Sequence, residues 1–211
     1  MPMTPRLRKL TLTVHIAISI SWIGAVSSFL ALAIAGLASP DARIVRSAYL
    51  AMELISWFVI VPLCLGALAT GLIQSLATPW RLFRHYWTLV KLMLTLGATL
   101  LLMVHMKPIM RMAGFAAESA LSPGEYGGLR MQLVGDATLA LVVLLATATL
   151  GVYKPWGRTR YGLRRMGAGR AAREPPARLG RPWGLYAVLG LIGLVIVVIV
   201  VHLAGGGHGR H

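Results

Sequence analysis

The chain contains five long runs of residues with almost no charge, and each run is long enough to cross a membrane as a helix. A helix needs ~20 residues to cross the ~30 Å hydrocarbon layer of a bilayer. Because no water is present there to satisfy backbone groups, we expect these runs to be helical, and they lack the short alternating segments of a barrel. The runs are 10–38, 54–80, 86–106, 131–153 and 183–203.

The predicted fold class is therefore an all-α integral membrane protein, with a four-helix bundle core plus a fifth transmembrane helix. We expect three parts along the chain. Residues 1–153 form the four-helix transmembrane core, 154–182 form a basic cytoplasmic linker, and 183–211 form the fifth transmembrane helix with a short outer tail. The linker has too little apolar surface to fold alone.

The basic residues fall mostly on alternate loops between the runs. If the helices alternate in direction, 14 of the 21 Lys and Arg lie on the side of the N-terminus and 6 lie on the opposite side. Loop Lys and Arg are retained on the cytoplasmic side of membrane proteins, so the N-terminus is predicted to be cytoplasmic and the C-terminus outside. The net charge of +15 then indicates attraction to anionic lipids of the bilayer, and we do not expect nucleic-acid binding.

Polar residues inside the first four runs fall into two layers at different depths. The inner layer contains His15, Gln74, His85 and Lys91. The outer layer contains Glu53, His105, Lys107 and Asp136. Ionisable groups in a bilayer are costly and usually mark a functional site. The alternative is structural, because outer-layer groups at helix ends can lie among lipid headgroups, and a lysine near the inner surface can extend its ammonium to it.

Helical spacing also predicts which face of its helix each polar residue occupies. His15 and Trp22 are seven residues apart and share one side of the first run, while Lys91 and His105 share a face but lie about 21 Å apart along the axis. In the second run, Glu53, Trp57 and Cys64 are expected on or near one stripe. Pro62 cannot donate a backbone hydrogen bond, which predicts a kink in that run.

Two short motifs resemble a known family. His15 followed by Ser21-Trp22-Ile23-Gly24 resembles the "H…WxG" signature of the bacterial CopD and HemJ membrane-protein superfamily, and 85–105, with Trp87, Lys91 and His105, resembles its "W…K…H" helix. The segment from Thr70 through Trp80, including Gln74, looks closest to an uncharacterised branch of unknown function. The resemblance covers roughly residues 10–153 and implies a multi-pass protein of the bacterial inner membrane.

The resemblance implies two different chemistries. HemJ-like proteins are linked to haem b, which would place a cofactor site at His15 and Lys91, with Trp22 and Gln74 of the same motifs beside them. CopD-like proteins are linked to copper uptake. The cluster of His105, Met103, Met106 and Met110 carries the imidazole and thioether groups that suit Cu(I), although Met is also ordinary apolar filler.

Three functions remain open from the sequence. The first is a haem- or related-ligand-binding redox-accessory protein, and the second is a copper or small-solute permease with a path lined by Glu53, His105 and Asp136. The third is a non-catalytic membrane scaffold. For each of the three, a second copy of the chain or another membrane protein is a candidate partner. No phosphate-binding loop, His-Glu-x-x-His helix or hydrolase nucleophile set is found in the sequence, which argues against membrane hydrolysis and nucleotide-driven transport. Whether the protein is an enzyme is left open, with a non-enzymatic role favoured.

Overall fold

The computed structural model describes residues 4–77, 86–118 and 126–153. Within these residues the chain forms helices and no strand. The elements are α1 (Pro5–Ala38), α2 (Ala42–Ile55), a π-helical turn (Ser56–Ile60), α3 (Val61–Ala77), α4 (Tyr86–Glu118) and α5 (Gly127–Tyr153).

Four helical spans in this part of the chain are long and apolar enough to cross a membrane. They are Pro5–Ala38, Ala42–Leu76, Val90–Glu118 and Gly127–Val152. The second span joins α2, the π-helical turn and α3. The all-α prediction is therefore confirmed for the four core spans. The predicted fifth helix and the basic linker before it lie outside the described residues.

The four spans pack around a common core. Helix α1 contacts α2, α3 and α5, and α4 contacts the same three helices. Short connections between successive spans make neighbours antiparallel, as in an up-down-up-down bundle. The larger buried side chains where the spans meet are Trp22, Phe29, Tyr49, Met52, Met106, Met112 and Leu133.

The helix α2 begins twelve residues before the second apolar run. Asp41 caps its N-terminus, because the Asp41 carboxylate accepts a hydrogen bond of 2.8 Å from the Arg43 amide. Only Ser39, Pro40 and Asp41 separate α1 from α2. The charged residues Arg43 and Arg46, which precede the predicted run, lie on the exposed side of this helix.

The helix α4 also extends beyond its apolar run. It continues to Glu118 and contains Pro108, whereas the third run ends at residue 106. Pro108 has no backbone N–H to donate to the Val104 carbonyl. The loss of this one hydrogen bond does not end the helix, because the backbone groups around it remain hydrogen-bonded. Lys107 and Arg111 are exposed on this extension.

The π-helical turn lies directly before Pro62, where we predicted a kink. The Val61 amide donates to the Ser56 carbonyl, five residues earlier, so one additional residue is accommodated in this turn. The buried stripe of the span consequently passes through Met52, Ser56, Ile60, Cys64 and Ala67. The prediction that Trp57 shares the face of Cys64 is wrong, because Trp57 is exposed.

Candidate functional site

His15 is held between α1 and α3 by a hydrogen bond that fixes its tautomer. The His15 Nδ1 atom lies 2.8 Å from the Thr70 Oγ1 atom. Thr70 Oγ1 donates its own hydrogen to the Gly66 carbonyl at 2.7 Å, so it accepts from His15. Nδ1 therefore carries the hydrogen of the neutral ring, and Nε2 presents a lone pair. No hydrogen bond to Nε2 is made within the described part of the chain.

The surroundings of His15 bring the two helices close together. A Cβ atom on Gly71 would lie 3.3 Å from the His15 Cε1 atom, so this glycine leaves room for the ring against α3. One turn away, the Gln74 Nε2 atom donates to the Thr11 carbonyl at 2.8 Å. The predicted site residues His15 and Gln74 therefore lie at the same end of the bundle.

Lys91 reaches the same end of the bundle from α4. Its Nζ atom lies 3.1 Å from the position that a Cβ atom on Gly151 of α5 would occupy. Lys91 is close enough to His15 for its charge to act on the imidazole ring. These residues lie at the same end of the bundle, in a region that we call the inner site (His15, Thr70, Lys91 and Gly151). His85 lies outside the described residues.

Trp22 belongs to a different region from His15. It shares a face of α1 with His15, but seven residues of helix separate the two by about 10 Å along the axis. The Trp22 side chain is 5% exposed and lines a cavity together with His105 and Asp136. The structure does not place Trp22 at the inner site.

His105 and Asp136 form a buried pair between α4 and α5. The His105 Nε2 and Asp136 Oδ2 atoms are 3.0 Å apart, and the two side chains are 6% and 15% exposed. His105 Nδ1 lies 2.6 Å from the Leu101 carbonyl oxygen, which can only accept, so Nδ1 is the donor. The Nε2 atom therefore lies within ion-pair distance of the Asp136 carboxylate, so the two polar groups are buried together.

The other residues of the predicted outer layer lie apart from this pair. Glu53 is half-buried and Lys107 is exposed. Glu53 makes no hydrogen bond or ion pair through its side chain within the described ranges. Of the four outer-layer residues, the structure brings together His105 and Asp136.

The predicted copper ligands are differently exposed. Met106 is buried, whereas Met103 and Met110 are 41% and 38% exposed. Both ring nitrogens of His105 are already engaged, so a metal bound there would have to displace one of its partners. Among residues 4–77, 86–118 and 126–153, no group of three or more His, Cys, Asp and Glu side chains is placed to hold a metal ion. Copper binding by these residues stays a prediction.

A cavity lies between the four spans, next to the His105–Asp136 pair. Its volume is about 70 Å³, it is partly open, and its walls are almost wholly carbon. The small residues Gly97, Ala98, Ala137 and Ala140 contribute to its lining. Their spacing along α4 and α5 is a signal in the sequence that could have revealed this cavity, and the sequence analysis did not use it.

Within the described residues, the fold and the buried polar groups define an all-helical bundle with four spans suited to a membrane. No protein-family model, curated protein or solved structure matches the chain. The resemblance to the CopD and HemJ superfamily therefore stays a prediction that depends on the short motifs around His15 and Lys91.

Proposed function

We propose that the protein is a CopD/HemJ-like haem-binding membrane protein of the redox-accessory type, with its haem at the inner site. The observation that carries this proposal is the hydrogen bond from His15 Nδ1 to Thr70 Oγ1. A histidine that binds a metal almost always donates its other ring N–H to a neighbouring acceptor, which sets the tautomer and the ring orientation. His15 has this arrangement, and its Nε2 atom would bind the haem iron.

Lys91 supplies a second feature that suits haem. Haem carries anionic propionate groups, and an ammonium inside an apolar bundle is costly unless an anion accompanies it. Lys91 acts electrostatically on His15 and approaches Gly151, where no side chain obstructs it. When bound, the haem would supply one-electron transfer, while His15 and Lys91 would hold and orient it.

The outer histidine does not compete for this role. The His105 Nδ1 atom donates to the Leu101 carbonyl and its Nε2 atom is paired with Asp136, and His105 lies far along α4 from Lys91. Any second protein ligand to the haem iron would therefore be another group at the depth of His15. We place the protein in the bacterial inner membrane with its N-terminus in the cytoplasm, which puts the inner site near the cytoplasmic face.

The test is the visible spectrum of the purified protein, oxidised and reduced with dithionite, after expression with haem supplied. We expect a Soret band in the wild type, its loss in His15→Ala, and its partial return when imidazole is added to that variant. Lys91→Met should retain the band but bind haem more weakly, and Lys91→Arg should bind it better than Lys91→Met. A wild-type protein that is folded and colourless overturns the proposal.

A further inference from the structure

One side of α4 is exposed along most of the length of the helix. Its exposed side chains recur every three or four residues, which is the spacing of a single helical face. The first four are apolar, and the next two are basic. In chain order these residues, which we call the α4 stripe, are Met93, Leu96, Leu100, Val104, Lys107 and Arg111.

The change from apolar to basic side chains falls where α4 would leave the hydrocarbon layer. The helix begins at Tyr86, and Lys107 lies roughly 31 Å further along its axis, close to the ~30 Å thickness of that layer. The sequence contains no Lys, Arg, Asp or Glu between Lys91 and Lys107. Lys107 is therefore the first such residue toward the end of α4 that lies opposite the inner site, and Arg111 lies one turn beyond it.

An exposed tryptophan on the neighbouring span lies at the same depth. The Cys64 Sγ and Thr99 Oγ1 atoms are 3.1 Å apart, so these two residues are level in spans that run antiparallel. Trp57 is seven residues from Cys64, and Lys107 is eight residues from Thr99 in the same direction. The Trp57 side chain is 45% exposed, and tryptophan is enriched at the membrane–water interface. Lys107 therefore lies at the depth of the lipid headgroups.

The two basic residues of the stripe have no counter-charge in the described part of the chain. Neither Lys107 nor Arg111 forms a salt bridge there. Glu53 of α2 is half-buried and does not pair with them. Glu118 lies seven residues beyond Arg111 on the same helix, about 10 Å further along the axis. The counter-charge for the two cations can come from the bilayer.

The order of the side chains matches the order of the groups in a phospholipid. The apolar part of the stripe lies at the depth of an acyl chain, and the basic part lies at the depth of the phosphate. A zwitterionic headgroup would bring its own cation close to Lys107 and Arg111. An anionic headgroup has no such cation, and Lys and Arg near the surface attract anionic lipids. The charge of the stripe therefore favours an anionic phospholipid.

We propose that the α4 stripe binds one anionic phospholipid, with an acyl chain along Leu96, Leu100 and Val104 and the phosphate between Lys107 and Arg111. The orientation proposed above places this lipid in the outer leaflet. The stripe lies at the other end of α4 from the inner site, so this proposal and the haem proposal can fail independently.

The test uses photoactivatable lipids. The protein is reconstituted in phosphatidylcholine nanodiscs that contain a small fraction of a diazirine probe, either phosphatidylglycerol or phosphatidylcholine, with the diazirine midway along one acyl chain. After illumination, mass spectrometry quantifies the crosslinks on residues 93–111. We expect about 5- to 30-fold more crosslinks from the phosphatidylglycerol probe, the range for one to two basic side chains beside anionic lipid. This excess should shrink in about 1 M salt, which screens the charges.

Two double variants examine the cations of the stripe. Lys107→Gln with Arg111→Gln keeps polar side chains at these exposed positions and removes both charges, so both probes should label residues 93–111 equally. Lys107→Arg with Arg111→Lys exchanges the two cations and should retain the excess.

The matched control removes two cations of α2 at the same end of the bundle. Arg43 and Arg46 are exposed, and Arg46 contacts α4 at the Ala117 carbonyl, about 9 Å along the axis beyond Arg111. Arg43→Gln with Arg46→Gln should therefore leave the excess on residues 93–111 unchanged.

Three outcomes overturn the proposal. Equal labelling of the wild type by the two probes would do so, and would leave an acidic protein as the partner of these cations. An excess that survives in the Lys107→Gln, Arg111→Gln protein would show that the two cations do not hold the lipid. An equal fall in this protein and in the α2 control would show attraction to the charge of the whole surface. The first outcome needs only the wild type, so it decides the proposal even if a variant does not fold.

Discussion

His15 and Thr70 are joined by a hydrogen bond of 2.8 Å in which the threonine hydroxyl accepts from the imidazole. Thr70→Val keeps the shape of the side chain and removes this acceptor. We expect haem affinity to fall about 10- to 100-fold, the usual effect of losing a partner that orients a metal ligand. Haem titration of the purified variant measures it.

A matched control for this prediction is Thr149→Val. The Thr149 hydroxyl donates only within its own helix, to the Leu145 carbonyl, and the side chain is exposed. Equal haem affinity in Thr70→Val and in this control would show that Thr70 does not position a ligand.

The contact between Lys91 and Gly151 gives a second prediction. A Cβ atom in Gly151→Ala would lie 3.1 Å from the Lys91 Nζ atom, and the flexible end of the lysine can move to avoid it. Stability should therefore change by less than about 1 kcal/mol, while haem affinity falls because the ammonium is displaced. Gly135→Ala is the control on the same helix, since its Cβ would meet nothing within 4 Å. An affinity loss that is equal in both variants would contradict this account.

The His105–Asp136 pair predicts strong coupling between the two residues. Removing one partner of a buried pair leaves a polar group without its counterpart and typically costs about 3–5 kcal/mol. We expect His105→Leu and Asp136→Leu each to destabilise the protein by an amount near the lower end of that range. The double variant should lose much less stability than the two single losses added together. The free energy of unfolding of the wild type, the two single variants and the double variant is measured in mixed micelles at a fixed pH. If the two single losses simply add, the pair does not interact energetically.

The close approach of Gly36 to Tyr49 predicts a cost for any side chain at position 36. A Cβ atom there would lie 2.7 Å from the Tyr49 Cζ atom, and the tyrosine is 1% exposed, so its ring cannot move aside freely. Gly36→Ala should lower stability by about 1–3 kcal/mol. Gly24→Ala on the same helix has open space and should be neutral or slightly stabilising. Thermal unfolding in detergent compares them, and equal unfolding temperatures would contradict the packing.

The proposed orientation predicts which single cysteines react with a membrane-impermeant maleimide in intact cells. Cys64 is buried and should remain unlabelled in the wild type. Ser47→Cys, exposed on α2 near the outer end, should react from outside. Thr4→Cys should react only after the membrane is permeabilised. The reverse pattern would place the N-terminus outside.

The apolar runs predicted the four spans, because length and hydrophobicity together decide whether a segment can cross a membrane. They did not predict where the helices end. The helix α2 begins at Ala42 among charged residues, and α4 continues past Lys107 and Pro108. Hydropathy detects the part of a helix that suits hydrocarbon, whereas capping and packing determine its full length.

The sites were predicted in part. Depth and spacing placed His15, Gln74 and Lys91 together at one end, and His105 with Asp136 at the other. The same spacing could not show whether Trp22 belongs to the inner site or to the cavity, because two residues on one face of a helix can line different sites at different depths. The hydrogen bond from His15 to Thr70 and the cavity depend on how helices dock, which no single run of sequence contains.

The π-helical turn at Ser56–Ile60 makes the number of residues in the second span as important as their identity. In an uninterrupted α-helix, Cys64 would lie roughly 100° away from the direction of Val45, nineteen residues earlier, yet both are buried against the bundle. The wider turn cancels that offset. Deleting one residue from the turn would rotate one half of the span relative to the other. The contact of Tyr49 with Gly36 and the contact of Cys64 with Thr99 could then not both be kept. A change in the length of this turn therefore alters the packing of the whole span, whereas a substitution in it alters the contacts of one side chain.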